Sequence, residues 1–414
     1  MSPAEWSLVA LLLVIAVSLT SRVNVGALAI ALAWPIALFA AHWKADALIA
    51  SFPSSLFLTL LGVTLLFGVA QANGTTAAVT HRAVRLCRGR VVLLPPLFFV
   101  IGCVVSTMGP GAIAATALVA PLALAIGATA GVPMFLAALM VGNGANAGNL
   151  SPVSAVGVLV QSLMQQSGLG GHEWNVWAAN FAAHAMVAIA AFFLFGGMPL
   201  LRSGRVEFVT DESPVTWRHA LTLVITALWI VGVVVFKLHP GLSAFAAASA
   251  LVLAGAADDA AVVKNVPWSV LLMVSGVSVL IAVLEKTGGM DLFSTMLARI
   301  ATVHTVNGTI AFVTGLISTY SSTSGVVYPA FLPAVPGLVQ KLGGGDPLQV
   351  AMSINVGAAL VDVSPLSTIG ALCLAALPPG DDARALFRRL LAWGFAMAVV
   401  GALFCQFTIA WFAH

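Results

Sequence analysis

NLSPVSAVG, residues 149–157, sets an asparagine, two serines and a proline into an otherwise apolar run, and DVSPLSTIG, residues 362–370, repeats the wording. In each phrase a polar residue, Asn149 or Asp362, stands two positions before a Ser-Pro pair. A glycine, Gly157 or Gly370, closes six positions after the serine. The phrases lie 213 residues apart in a chain of 414. A continuous helix has no use for such residues, because proline removes a backbone donor and clashes with the preceding turn. Gly142, Gly144, Gly148 and Gly357 loosen the same segments. The two phrases therefore predict two broken helices with unwound midpoints, over about 132–163 and 346–376.

The surroundings say where those breaks lie. The chain is 60% hydrophobic and 7% charged, with a mean hydropathy of +1.06. A soluble domain carries about a quarter charged residues, so this chain could not cover a water-facing surface. Stretches 7–19, 55–70, 176–201 and 391–412 are long and almost free of charge, and a membrane span needs roughly 20 apolar residues. The fold class expected is an all-α polytopic membrane protein; the runs of Ala, Leu and Val lack the alternation of a transmembrane barrel. The N-terminus MSPAEWSLV carries Glu5 and no Lys or Arg, so residues 7–20 read as a retained first helix rather than a cleaved signal. Cys87, Cys103, Cys373 and Cys405 fit no metal spacing and read as small packing residues. A net charge of +3 gives no footing for nucleic acid. No catalytic motif stands out, the lone histidines such as His184 read as packed or locally satisfied, and no enzyme activity or organic cofactor is expected.

Shifting the sequence on itself exposes a duplication. At 214 residues, FPSSLFLTLLGVTLLFGVAQANG (52–74) falls on VPWSVLLMVSGVSVLIAVLEKTGG (266–289), with Pro53 on Pro267, Gly62 on Gly276, Thr64 on Ser278 and Gln71 on Glu285. At 212, Ser106-Thr107 meets Ser318-Thr319; at 213, the two opening phrases coincide. The expected organisation is a first repeat over 1–201, a cytoplasmic linker over 202–216 and a second repeat over 217–414. In the first repeat, spans are expected near 6–21, 24–42, 54–71, 132–163 and 176–200, with an amphipathic stretch at 74–90. The apolar block 91–130 is broken by STMGPG (106–111), so neither flank comfortably spans alone, and it reads as a re-entrant hairpin. Its counterpart is 305–340, broken by STYSSTSG (318–325). Five crossings per half would invert the second half relative to the first, the plan of inverted-repeat transporters. That topology puts twelve Lys and Arg residues on one face and five on the other. The richer face is then cytoplasmic, and both termini lie outside the cytoplasm.

Hairpin tips and breaks together make the candidate site. For substrate the residues are Ser106, Thr107, Gly109, Gly111, Asn146, Asn149, Ser151, Ser321, Ser322, Thr323, Ser324, Ser364, Ser367 and Thr368. For a coupling cation they are Ser106, Asn143, Asn149, Thr323, Asp362 and Ser364. Glycine lets backbone N–H groups approach a ligand closely, and hydroxyls both donate to carboxylates and accept from cations. Half-helix N-termini attract anions, and freed carbonyls attract cations. Asp362 is the one acid inside a predicted break, and an intramembrane carboxylate marks function by default.

Paired hairpins followed by broken helices resemble the ion-transporter superfamily. Within it the chain is similar to the divalent-anion:sodium symporters and, more closely, to the malonate-type dicarboxylate carriers. The wording that carries the resemblance is FPSSLFLTLLGVTLLFGVAQANG, STMGPGAIAA and NGANAGNLSPVSAVGV. It implies an elevator-type homodimer in the inner (cytoplasmic) membrane that carries small carboxylates, malonate or C4 acids, with sodium ions or protons as coupling ions. Neither tip carries the symporters' Ser-Asn-Thr triplet; Ser106-Thr107 and Ser321-Ser322-Thr323 are the nearest matches. The alternatives are a sodium/proton or other anion exchanger on the same plan, and an intramembrane enzyme, for which His184 with Asp362 is a thin constellation.

Overall fold

The computed structural model describes residues 1–20, 23–75, 78–79, 82, 90–109, 111–202, 216–236, 238–319, 321–378 and 381–413. Most of the expected amphipathic stretch 74–90, and 203–215 of the expected linker, lie outside the described residues. So do Cys87, Arg22, Arg85, Arg88, Arg205 and Lys237 of the cysteine and charge readings. Among the described residues there is no strand.

The first half runs α1 (Pro3–Thr20), α2 (Val25–Pro35), α3 (Ser54–Ala72), α4 (Leu94–Thr107), α5 (Gly111–Thr129), α6 (Met134–Gly148), α7 (Ala155–Gln166) and α8 (Glu173–Leu194). The second runs α9 (Trp217–Val234), α10 (Pro240–Leu253), α11 (Trp268–Thr287), α12 (Gly289–Ala298) and α13 (Val306–Ser318). After short turns at Thr323–Val327 and Tyr328–Phe331 come α14 (Val335–Leu342), α15 (Pro347–Leu360), α16 (Thr368–Ala375) and α17 (Ala383–Thr408). Four of these segments, Ser54–Ala72, Gly111–Thr129, Glu173–Leu194 and Ala383–Phe412, are long and apolar enough to cross a membrane. Leu271–Thr287 and Gly289–Ala298 join them as a pair bent by 91° at Gly288. The first apolar block breaks at its polar tip, with α4 and α5 packed on each other, and in the second α13 ends at Ser318 ahead of the turn at Thr323–Val327. The expectation that neither arm spans alone holds for the fourteen-residue α4 but not for α5. Pro121 is accommodated within α5, whose nineteen residues reach about 28 Å at 1.5 Å each.

Residues paired by the offset occupy matching places. Pro53 and Pro267 stand just before α3 and α11 with the same backbone, φ −78 and ψ 68 against φ −78 and ψ 66. Proline fixes φ and lacks the donor that a first turn leaves unused, which is why each helix starts there. Each of these helices packs on the second helix of the other half. A Cβ on Gly62 of α3 would lie 2.3 Å from the Gly241 carbonyl on α10, and one on Gly276 of α11 would lie 2.1 Å from the Gly26 carbonyl on α2. Backbones this close exclude any side chain, the mode of packing that small residues permit inside membranes.

Candidate functional site

The first break is built from the residues of its phrase. Helix α6 ends at Gly148, and α7 restarts at Ala155 with Ser154 as its cap. The Ser154 hydroxyl accepts from the Gly157 N–H at 2.9 Å and donates to the Asn149 carbonyl. A cap of this kind satisfies a donor that the first helical turn would leave orphaned. Three bonds then lace the break to the tip between α4 and α5. Asn149 Oδ1 accepts from the Ala112 N–H at 2.8 Å, Ser151 Oγ donates to the Thr107 carbonyl at 2.6 Å, and the Ala155 N–H donates to the Gly109 carbonyl at 2.9 Å.

The second break has the same frame with a different use of its hydroxyls. Helix α16 begins at Thr368 after Ser367, yet Ser367 makes no side-chain cap. Its hydroxyl donates instead to Asp362 Oδ1 at 3.0 Å. Thr323 Oγ1 from the second tip donates to the same oxygen at 2.5 Å, and Ser318 Oγ stands at 3.5 Å. The Ser318 and Thr323 hydroxyls also bond each other. The half-helix starts at Thr368, and the Asp362 backbone carbonyl, not its carboxylate, accepts from the Gly370 N–H at 3.3 Å. Asp362 is buried among hydroxyls. The ion pair found among the described residues, Lys341 with Asp291, involves other residues.

A cavity of about 220 Å³ opens between the first tip, the start of α7, and α3 with α11. Gly111 and Ala112 at the start of α5 and Ala155 and Val156 at the start of α7 line it, so two helix N-termini face it. No Lys, Arg, Asp or Glu is among its lining residues. Convergent N-termini supply the N–H groups and positive dipole ends that receive an anion without a basic side chain.

Of the residues expected to bind substrate, Gly111 and Ser324 line this cavity. Asn149 stands directly behind it through Ala112. Thr107, Gly109 and Ser151 serve the lacing just described. Ser322 accepts from the Gly325 N–H at 3.0 Å within its own tip, which also holds Ser321. Thr323 and Ser367 gather on Asp362, Ser364 accepts from the Leu366 N–H at 3.4 Å, and Thr368 opens α16. The Ser106 hydroxyl is buried with no partner among the described residues. Asn143 and Asn146 belong to a separate buried group on the α8 side of α6. Asn143 donates to the Leu139 carbonyl at 2.9 Å and meets His184 Nδ1 through Oδ1 at 3.1 Å, while Asn180 donates to the Asn146 carbonyl at 2.7 Å. Asn143 is therefore not brought to Asp362, and His184 meets a partner at Nδ1 while its buried Nε2 has none among the described residues.

Four residues escaped the sequence reading. Thr64, Gln71 and Asn265 line the cavity, and Ser318 joins the Asp362 cluster. The offset had aligned Thr64 with Ser278 and Gln71 with Glu285, and polar residues matched inside paired spans were the available signal.

One consequence is testable at Gly111. Its φ is +76, and a Cβ there would lie 3.3 Å from Asn149 Oδ1. Gly111→Leu adds a left-handed conformation costing roughly 1–2 kcal/mol and pushes on the bond that ties tip to break. Uptake by this variant should fall at least about tenfold while the protein remains monodisperse in detergent; near-normal uptake would make the tip a packing element only.

Residues 1–149 match the family model described as Dicarboxylate carrier protein MatC N-terminus. The likeness to malonate-type dicarboxylate carriers is borne out over that part of the chain. No curated protein matches the chain. Among solved structures it is similar to one described as "Crystal structure of the Alcanivorax borkumensis YdaH transporter reveals an unusual topology". The two are 16% identical over 99% of this chain and 98% of that one, with a TM-score of 0.59. At that identity the likeness is one of fold.

Proposed function

We propose that the chain is a cation-coupled secondary transporter of small dicarboxylates, with malonate or a C4 acid favoured, working by an elevator form of alternating access. The observation that carries this reading is the first tip laced to its break beside a cavity with no charged residue among its described lining, which the second tip, tied to Asp362, reaches through Ser324. A carboxylate entering that cavity would be met by Ser324 and by the positive N-terminal ends of α5 and α7, whose Ala112, Ala155 and Gly157 N–H groups are already used within tip and break. A sodium ion or proton would be held by Asp362 with the hydroxyls of Thr323, Ser318 and Ser367 around it. Hydroxyl oxygens and a carboxylate suit a hard cation, and a buried acid with no basic partner calls for one.

The family match over residues 1–149 and the transporter fold support transport rather than catalysis. In the elevator, hairpins and broken helices travel together over a scaffold that includes α3 and α11, in two repeats of opposite orientation. The lacing bonds support this, because each tip is tied to its own break and would move with it. The protein would sit in the cytoplasmic membrane as a homodimer with both termini outside the cytoplasm.

Reconstitution tests the reading. Proteoliposomes should accumulate labelled malonate or succinate when an inward sodium or proton gradient is imposed, and accumulation should collapse when the gradient is removed. Uptake of neither acid under either gradient would refute it.

A further inference from the structure

The cavity is longer and more apolar than a short dicarboxylate needs. Its wall follows one face of α3 from Leu60 through Phe67 to Gln71. Those eleven steps cover about 16 Å at 1.5 Å each. The carboxyl carbons of malonate are only about 2.5 Å apart, across two carbon–carbon bonds. Along this length the polar groups are gathered, not spread. Gln71 stands at one end, and the segment that leads to Asn265 packs nearby, with 3.1 Å from a Cβ built on Gly68, one turn before Gln71, to the carbonyl of Val262, one turn before Asn265. Thr64 spends its hydroxyl on the Leu61 carbonyl at 3.0 Å. The remaining wall holds Leu60, Phe67, Leu118, Leu159, Leu271 and Val274, with Ser324 as its other side-chain hydroxyl.

We infer that the cavity selects dicarboxylates that carry an apolar substituent, such as 2-alkylmalonates, over unsubstituted malonate. This rests on the transport reading above and adds the substrate class to it. The carboxylates would take the polar end, beside the positive N-terminal ends of α5 and α7, and the substituent would lie against the leucines and Phe67. An unsubstituted acid leaves that wall facing water, whereas each methylene buried on it improves binding by about fourfold. Away from Gln71, Asn265 and Ser324 the wall offers a second polar group nothing, so a hydroxylated acid of equal length gains nothing from the apolar part of the wall.

Competition in proteoliposomes tests this. Uptake of labelled malonate is inhibited with unlabelled malonate, methylmalonate, butylmalonate and hydroxymalonate, and purified protein is titrated with the same compounds by calorimetry. The expected half-inhibitory concentration falls along the alkyl series by about fourfold for the first carbon and by more than tenfold at butyl, while hydroxymalonate is the weakest. Leu159→Ala should shrink the ratio between malonate and butylmalonate, a ratio that does not depend on how much active protein is present. If malonate is taken up but butylmalonate inhibits no better, the inference is wrong and the transport reading stands. If neither acid is taken up nor bound, both fall.

Discussion

Asp362→Asn is expected to abolish gradient-driven accumulation while leaving the protein folded and able to exchange substrate across the membrane. Asparagine has nearly the shape of aspartate and keeps an acceptor oxygen for the Thr323 hydroxyl, which stands at 2.5 Å from Oδ1. The Ser318 and Ser367 hydroxyls meet that same oxygen, so an asparagine with its amide oxygen there keeps their acceptor as well. The network can therefore close again, and α15 and α16 keep their backbone bond from the Gly370 N–H to the residue 362 carbonyl. What disappears is the charge. A cation about 4 Å from a carboxylate gains roughly 4 kcal/mol at an effective dielectric constant of 20, so its affinity should drop by about a thousandfold. Thr323→Val is the milder companion: it keeps the charge, removes one hydroxyl and should weaken the ion dependence without erasing it. Accumulation by Asp362→Asn at the original level, with the same ion dependence, would leave the acid a structural hub for three hydroxyls and nothing more.

The asymmetry between the two phrases explains why that test has no mirror image at Asn149. The backbone frame was legible because Pro, Gly and polar residues in an apolar run have few other uses, and the duplicate wording pointed to both breaks and both tips. The use of each side chain was not legible, since it depends on rotations that spacing leaves open. Asn143 and Asn146 lie three apart and so share one face of α6; that face turns to Asn180 and His184, not to the cavity. Asn149 comes after the last residue of α6, escapes that face and reaches Ala112 on the hairpin. In the second phrase a charge at position 362 draws Ser367 away from its capping role, whereas Ser154 keeps it. One atom's difference between Asn and Asp thus redirects a serine five residues away. Asn265 was illegible for another reason: it precedes α11, and only tertiary packing carries it to the cavity.

The closing glycines set the strongest structural expectation. Gly157 and Gly370 are each the third residue of the helix that follows a break. A Cβ on Gly157 would lie 1.9 Å from the Ser151 carbonyl oxygen, and one on Gly370 would lie 2.1 Å from that of Ser364. Neither oxygen is free to withdraw. The Ser151 carbonyl accepts from the Ser154 N–H at 3.0 Å, and the Ser364 carbonyl accepts from the Ser367 N–H at 3.0 Å. A methyl group at either position must open the turn that returns the chain into α7 or α16. At residue 157 the Ser154 cap and the Ala155 bond to the Gly109 carbonyl go with it, so the hairpin loses its attachment to the break. Overpacking of this kind costs upward of about 3 kcal/mol where the opposing atom is backbone. Gly157→Ala and Gly370→Ala should therefore each lower the melting temperature in detergent by several degrees or more and stop uptake. Gly344→Ala is the control, because its Cβ would meet nothing nearer than Val303 at 3.6 Å. If both break variants melt with Gly344→Ala and transport at the original rate, the chain does not turn at these carbonyls, and the repeated phrase must answer to something other than the shape of the break.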